Sequence, residues 1–131
     1  MKTYLRHRSL NVVDVKELFA LEYLDFEGKY KNYSEKHDFF EICFVLHGEI
    51  TLTMEGEPLT LSQGELVFIE PNTEHSYFSG VGNQSSAFVI CFECTSSAAR
   101  TLSGRKFLLN RNQEFCIKNI TKESGETFRT N

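Results

Sequence analysis

Three side chains that could do chemistry lie in or beside apolar segments of this 131-residue sequence: His37, Glu41 and His75. Glu41 interrupts the run HDFFEICFVLHGEI, which begins at His37, and His75 directly follows ELVFIEPNTE. A carboxylate and imidazoles are costly to bury unless they pair with one another or with a ligand. Two histidines with carboxylates can also hold iron, manganese or zinc. The pattern therefore predicts an enclosed polar site: a ligand pocket, a metal site or an internally hydrogen-bonded cluster.

Alternation along the first of these segments separates two faces. Successive side chains of a strand point to opposite sides of the sheet. One face is expected to carry His37, Phe39, Glu41, Cys43 and Val45. The other carries Phe40, Ile42, Phe44 and Leu46, and must be covered by another wall or by a partner. The interior of a barrel is thus the expected location of the two polar residues.

The elements that must position these residues have the spacing of short strands. Strands are predicted at Leu18–Phe26, in HDFFEICFVLHG and in AFVICFEC. Between the last two, Ile50, Leu52 and Met54 alternate with polar residues, which indicates a half-buried strand. The polar segments 26–36 and 79–86 are expected to be loops, and residues 107–109 one further strand. Strands recurring at roughly 8–12 residues predict an all-β sandwich or barrel.

Composition excludes several classes of function. Hydrophobic residues make up 40% of the chain and charged residues 24%, which is typical of one globular domain. The net charge of −4 makes this chain by itself a poor nucleic-acid binder. No apolar stretch approaches the roughly 18 residues of a membrane span, and the N-terminus lacks the apolar core of a signal peptide. A cytoplasmic location without membrane partners is expected.

The cysteines include the pair Cys91 and Cys94 in the motif CFEC, which requires a comparison with redox and zinc motifs. This CxxC ends a predicted strand, where positions three apart face opposite sides. No second Cys or His pair stands at zinc-ribbon spacing. Plain thiols are therefore predicted, and a cytosolic compartment also argues against disulfides.

The order of the polar and glycine residues resembles the two motifs of the cupin barrel. Its elements here are Glu35, His37, Glu41 and Gly48, followed by Gly64, Pro71 and His75. The resemblance implies a double-stranded β-helix, or jelly-roll, barrel. In metal-binding cupins, two histidines and the Glu of the first motif join the His of the second around one ion. Carried over, the set would be Glu35, His37, Glu41 and His75, with Glu35 in place of the first histidine.

Residues 37–50 and 59–77 resemble more narrowly the N-terminal domain of AraC-type (arabinose-operon-type) transcription regulators. The shared pattern runs H-x-F-x-E-I-x-F-V-L-x-G-E, then L-x-x-G-E-L-V-F-I-x-P-x-x-x-H-S-Y. This implies a dimerising barrel that senses a small, sugar-like or other metabolite, needs no metal or cofactor and is not an enzyme. DNA would be bound only through a C-terminal domain absent from this chain. The implied ligand-binding residues are His37, Phe39, Glu41, His75 and Tyr77.

On this basis residues 1–113 are expected to form the barrel and residues 114–131 to begin a helical or linker segment. His47, beside a turn, is expected to lie on the surface. Two other functions stay open at this point. One is a stand-alone metal-dependent cupin enzyme, a dioxygenase or isomerase, which needs an ion with an open coordination position. The other is a structural barrel whose interior is filled by side chains.

Overall fold

The chain forms an antiparallel β-barrel with a short helix on its outer face. The computed structural model describes residues 15–31, 34–95, 97–117 and 119. The strands are β1 (Val15–Lys31), β2 (Phe40–His47), β3 (Glu49–Met54), β4 (Glu57–Ser62), β5 (Glu65–Ile69), β6 (His75–Cys94) and β7 (Lys106–Leu108), and helix α1 spans Ser97–Leu102. Residues 111–117 are helical and are called α2 below. The all-β jelly-roll prediction is confirmed.

Strand β6 organises the sheet because it pairs with three other strands. The strand order is β4-β3-β6-β2-β5-β7, and β1 pairs with β6 outside this path. The first residues of β6 pair with β3, while its later residues pair with β2 from Phe40↔Phe92 to His47↔Ser86. One long strand thus joins both halves of the barrel, and it carries His75 at its first position.

The two faces of β2 are buried in two different clusters, as the alternation predicts. The barrel interior contains Cys43 and Val45 among aliphatic side chains from the neighbouring strands, including Leu52 and Val67. The outer face is apolar as well, and Phe40 packs there in the second cluster. The cover for that face is α1, whose Ala99 is fully buried in the second cluster. This helix was not predicted from the sequence.

Both segments predicted to be loops on account of their polarity are largely strand. The predicted loop at residues 26–36 is strand as far as Lys31, and residues 79–86 lie inside β6. The two segments pair with each other, for example through Phe26↔Ser85 and Tyr30↔Ser79, with a register shift between Gly28 and Tyr30. Pairing between distant segments therefore overrides their local composition, which made the loop prediction wrong.

The cysteines of the CxxC motif lie in separate clusters. Cys91 packs against the barrel interior and Cys94 against the outer cluster, as expected for strand positions three apart. All four cysteines are free thiols: Cys43 is buried, Cys91 and Cys94 are partly buried, and Cys116 is exposed. The plain-thiol prediction is confirmed by this geometry.

Helix α2 begins at a reciprocal hydrogen-bond pair. The backbone N–H of Gln113 donates to Asn110 Oδ1, and the N–H of Asn110 donates to Gln113 Oε1. This is the capping-box arrangement at a helix N-terminus. Residues 121–131, which form most of the predicted linker segment, lie outside the described residues, as does His7. Among the described helices none is long and apolar enough to cross a membrane.

Candidate functional site

Backbone pairing between distant segments brings the polar residues together. Glu35 and His75 form an isolated antiparallel bridge, with N–H to carbonyl distances of 2.8 and 2.9 Å. Two residues further on, the N–H of Asn72 donates to the carbonyl of His37 over 2.6 Å. The chain entering β2 is thereby tied to the loop entering β6. Glu41 extends from β2 into the barrel at the same end.

Glu41 is the centre of the resulting cluster and is 97% buried, with a relative exposure of 3%. The Tyr77 hydroxyl donates a hydrogen bond to Glu41 Oε2. Glu41 Oε1 lies 2.8 Å from Nε2 of His37 and 3.7 Å from Sγ of Cys91, which donates to it. Nε2 of His75 lies 3.3 Å from the same oxygen. One carboxylate thus meets four side chains from three separate parts of the sequence.

Both histidines are oriented by backbone carbonyls. Nδ1 of His75 lies 2.8 Å from the carbonyl of Thr73, and Nδ1 of His37 lies 3.1 Å from that of Phe39. A carbonyl can only accept, so Nδ1 is the donor in each ring, and Nε2 faces the cluster. Nε2 of His75 is buried and lies 3.3 Å from Glu41 Oε1, but it makes no hydrogen bond of regular geometry. The ring of Phe39 stacks on that of His37 with centroids 4.0 Å apart.

Burial and charge oppose each other in setting the protonation of the cluster. Burial favours the neutral form of Glu41, but the interaction with His75 and the hydrogen bonds from Tyr77 and His37 outweigh it, so the pKa of Glu41 is lowered. Burial likewise disfavours protonated His75, but the adjacent Glu41 carboxylate outweighs this and raises the pKa of His75. Burial raises the pKa of Tyr77 well above its ordinary value, so its hydroxyl stays a donor.

The structure places every residue of the predicted site in one cluster. Glu35, His37, Glu41 and His75 each offer a ligand atom, and these four atoms lie within 4.8 Å of one another. Tyr77 and Phe39 complete the set through the contacts described above. Glu35 is exposed and His37 half-buried, so the cluster reaches the surface on that side. His47 is exposed at the end of β2, as predicted, and lies apart from the cluster. That the clustered residues bind a ligand stays a prediction.

Two residues near the cluster were not predicted from sequence. Cys91 faces the interior from β6 and contacts Glu41. Glu22 of β1 pairs with Val89 of the interior cluster, so it faces the same side of the sheet. Glu22 is exposed by accessible surface, but partial desolvation and the charges of Glu35 and Glu41 raise its pKa. Glu22 and Leu24 are two positions apart in the sequence, so they share a face of a strand, and this could have indicated the inward direction of Glu22. The pairing of β1 with β6 is needed to show that Glu22 lies near Glu41.

Comparison with known proteins agrees with this architecture. The model of the cupin domain family matches residues 25–92, just over half of the chain, and the chain therefore belongs to the cupin family. No curated protein sequence matches the chain significantly.

Several solved structures share the fold. A predicted oxalate decarboxylase from Thermotoga maritima superposes with a TM-score of 0.55 at 17% identity, over 58% of this chain and 67% of that one. The polyketide cyclase RemF from Streptomyces resistomycificus gives 0.53 at 21% identity, over 60% of this chain and 58% of the cyclase. A cupin 2 conserved barrel domain protein from Salinispora arenicola gives 0.52 at 13% identity, over 70% and 83%. At these identities the likeness concerns the fold alone.

Proposed function

We propose that the chain is the effector-sensing and dimerisation domain of an AraC-type transcription regulator, which binds a small metabolite at the Glu41 cluster and does not catalyse a reaction. The observation that carries this proposal is the buried Glu41, which meets two imidazoles and a phenol at one end of a largely apolar interior. Such groups stabilise a fold poorly, since replacing them by apolar residues is often neutral or favourable. Their presence is better explained by recognition of a ligand.

The chemistry of the cluster suits a hydroxylated ligand. Carboxylate oxygen atoms and imidazole nitrogen atoms can orient the hydroxyl groups of a ligand by hydrogen bonds. The ring of Phe39, stacked on His37, offers an apolar surface at the half-exposed side of the cluster. Ligand would act by favouring one of two arrangements of the domain, which requires unequal affinity for the two. The residue pattern shared with the AraC-type domains supports this reading.

Dimerisation is proposed from the apolar residues at the C-terminal side of the barrel. Leu108 of β7 is 75% exposed and Phe115 of α2 is 66% exposed. Two large apolar side chains at such exposure favour contact with a partner protein. For a dimerising sensor domain, that partner would be a second copy of this chain. Light scattering of the wild type and of Leu108→Glu tests this: we expect a dimer for the first and a larger monomer fraction for the second.

A thermal-shift screen tests the sensing proposal directly. A ligand that binds only the folded state stabilises it by about 2.7 kcal/mol when present at one hundred times its Kd. We expect at least one sugar or related metabolite to raise the Tm of the wild type, and Glu41→Gln and His37→Ala to abolish that shift. Glu57→Gln makes the same carboxylate-to-amide replacement at an exposed position in the β3–β4 hairpin. It is the matched control and should keep the Tm shift. If every metabolite that shifts the Tm of the wild type kept its full shift in Glu41→Gln, the assignment of the pocket would be refuted.

A second candidate function, a metal-dependent cupin enzyme, is favoured by Nε2 of His75, which faces the cluster and makes no regular hydrogen bond there. Donors around one transition-metal ion lie roughly 2.0–2.2 Å from it and hence about 3–4 Å apart, close to the spacing of the four ligand atoms. Hydrogen bonds from Nδ1 to backbone carbonyls are also the usual support of metal-bound histidines. Glu35, His37, Glu41 and His75 would hold the ion, which would supply Lewis-acid chemistry.

Elemental analysis separates the two candidates. Stoichiometric iron, manganese, nickel or zinc in the purified protein, lost in His75→Ala and retained in His47→Ala, would favour the metal-dependent enzyme. The effector-sensing proposal predicts substoichiometric metal and a metabolite-induced Tm shift that persists in the presence of a chelator. These outcomes are mutually exclusive, so one pair of measurements decides between them.

A further inference from the structure

A second, smaller cavity lies on the outer face of the barrel. It has a volume of about 170 Å³ and is lined by Tyr23, Asp25, His47, Gln84, Ser85 and Ser86. Asp25 and Ser86 alternate with Phe26 and Ala87, which belong to the barrel interior. Their side chains therefore point away from the interior and away from the Glu41 cluster. We call this cavity the outer pocket.

Strand register places Ser86 at the centre of the outer pocket. Ser86 of β6 is opposite Asp25 of β1 on one side and opposite His47 of β2 on the other. The pairing with β2 shifts register between Val45 and His47, and this shift brings His47 opposite Ser86. Directly opposite residues on one face of a sheet hold their Cβ atoms within about 4.5–5.5 Å. A carboxylate, a hydroxyl and an imidazole thus stand side by side on three adjacent strands.

The hydroxyl of Ser86 is the observation that points to a ligand. Ser86 is only 4% exposed, and its Oγ has no hydrogen-bond partner. A buried hydroxyl without a partner destabilises the fold, and native structures contain few of them. The hydroxyl of Ser85, on the interior side, is by contrast bonded to Ser79 over 2.7 Å. The unsatisfied hydroxyl therefore belongs to a residue that lines the outer pocket.

The lining of the outer pocket defines the class of ligand. Asp25 accepts hydrogen bonds, and Gln84, His47 and Ser86 can both donate and accept, so a complementary molecule must also carry both kinds of group. Among the described residues that line the cavity there is neither Lys nor Arg, which disfavours an anion. Tyr23 is 52% exposed and packs on Phe88 with ring centroids 5.4 Å apart, which gives a rigid aromatic wall.

We propose that the outer pocket binds a small neutral polyhydroxyl molecule, a monosaccharide or a cyclic polyol of that size. Its hydroxyl groups pair with Asp25, Gln84 and Ser86, and its C–H face packs on the ring of Tyr23. The volume of about 170 Å³ is below the roughly 300–1,000 Å³ of pockets that bind drug-sized molecules. A ligand with a single ring suits this smaller volume. This site is independent of the function proposed for the Glu41 cluster, since it lies on the other face of the sheet.

Chemical-shift titration of the ¹⁵N-labelled 131-residue protein tests the proposal. The probes are D-glucose, D-xylose and myo-inositol, with ethanolamine and inorganic phosphate as charged comparisons. We expect saturable shifts at the amides of Tyr23, Asp25 and Ser86 with at least one neutral probe, and none there with phosphate. Asp25→Ala should weaken that binding at least tenfold. Glu93→Ala, which removes an exposed carboxylate from the same strand as Ser86, should leave it unchanged.

Ser86→Ala supplies a readout that does not depend on finding the best probe. Without ligand the substitution should leave the Tm unchanged or raise it, because it removes an unsatisfied buried hydroxyl, and it should weaken probe binding several-fold. A lowered Tm would mean that the hydroxyl is satisfied within the fold and would overturn the argument for a ligand. Saturable binding of ethanolamine alone, shifts confined to the His37 side, or no saturable shift with any neutral probe would each overturn the proposed ligand class or site.

Discussion

At the scale of single residues, Glu41 determines the character of the barrel interior. Its carboxylate is buried, yet it stays in the charged form because imidazole and phenol groups surround it. In a low-dielectric interior, a polar cluster that is fully paired fixes its geometry, and one that loses a member leaves costly unpaired groups. Nε2 of His75 is paired with this carboxylate only through the 3.3 Å contact to Oε1, without a hydrogen bond of regular geometry.

The protonation of this cluster predicts a two-sided pH profile of stability. Because the pKa of Glu41 is lowered from 4.5 by folding, its contribution is present above about pH 4.5 and is lost as the pH falls through the folded value. Because the pKa of His75 is raised from 6.5, its contribution is present below about pH 6.5 and is lost as the pH rises through the folded value. The cluster therefore stabilises the fold most between these two values.

Glu41→Gln should flatten this profile on both sides and lower the stability near pH 5.5 by about 1.5–3 kcal/mol, the usual worth of hydrogen bonds to a charged group. Urea unfolding across the pH range, in the presence of a chelator, measures the effect. Glu57→Gln, at an exposed position, should reproduce the wild-type profile. If Glu41→Gln kept the wild-type pH dependence, groups outside the cluster would have to cause it.

At the scale of elements, the turn between β2 and β3 brings the chain close to β6. Gly48 has a φ of +75°, and a Cβ atom there would lie 2.6 Å from the carbonyl oxygen of Gln84 and 2.9 Å from Cβ of Ser85. Gly56, in the β3–β4 hairpin, has a similar φ of +82° but open space around it. The two glycines separate the effect of backbone conformation from that of close packing.

Gly56→Ala should destabilise the fold by about 1–2 kcal/mol, the penalty for an L-residue in the left-handed region. Gly48→Ala should destabilise it further, by roughly another 1–3 kcal/mol, because the new methyl group overlaps backbone atoms that cannot move aside cheaply. Urea unfolding of both variants measures the difference. Equal losses in the two variants would show that β6 yields at this point.

Helix α1 covers the outer face of the sheet through Ala99, which leaves no room for a larger side chain. Ala99→Leu should destabilise the protein by about 1–3 kcal/mol, because overpacking against Phe40 and Phe92 forces the helix outward. Ala98→Leu, at a half-buried position in the same turn, is the matched control and should change stability much less. Thermal unfolding gives the comparison, and a neutral Ala99→Leu would indicate that α1 is loosely docked.

At the scale of the whole molecule, the barrel controls the reactivity of its thiols. Cys43 is fully buried and Cys116 is exposed. Burial is the main reason that the pKa of Cys43 is raised, and the nearby charge of Glu41 adds to it. Little thiolate is therefore available for reaction. The accessibility of each cysteine therefore reports on opening of a different part of the fold.

Alkylation with iodoacetamide under native conditions should modify Cys116 first and Cys43 last, with Cys43 reacting only at the rate of global unfolding. Peptide mass spectrometry at successive times measures the order. In urea all four cysteines should react at similar rates, which serves as the control for intrinsic reactivity. Early modification of Cys43 in buffer would show that the barrel interior opens without unfolding.

The sequence alone determined which residues of a strand share a face. The alternation through HDFFEICFVLHGEI placed Glu41 and Cys43 in the interior and Phe40 outside, because the side-chain period of a strand is a local property of the backbone. The spacing of His37, Glu41 and His75 indicated one polar site, and the fold brings both imidazoles to the same oxygen of the Glu41 carboxylate.

Only the tertiary structure decided how far β1 and β6 extend and what they bring together. Their polar central segments become strand because each supplies hydrogen-bond partners to the other, and local composition carries no information about such distant pairing. For the same reason three features were not visible in the sequence: the bridge between Glu35 and His75, the proximity of Glu22 to Glu41, and the unsatisfied hydroxyl of Ser86. The residue types of the site could be identified from the sequence, whereas the contacts between them depended on strand register.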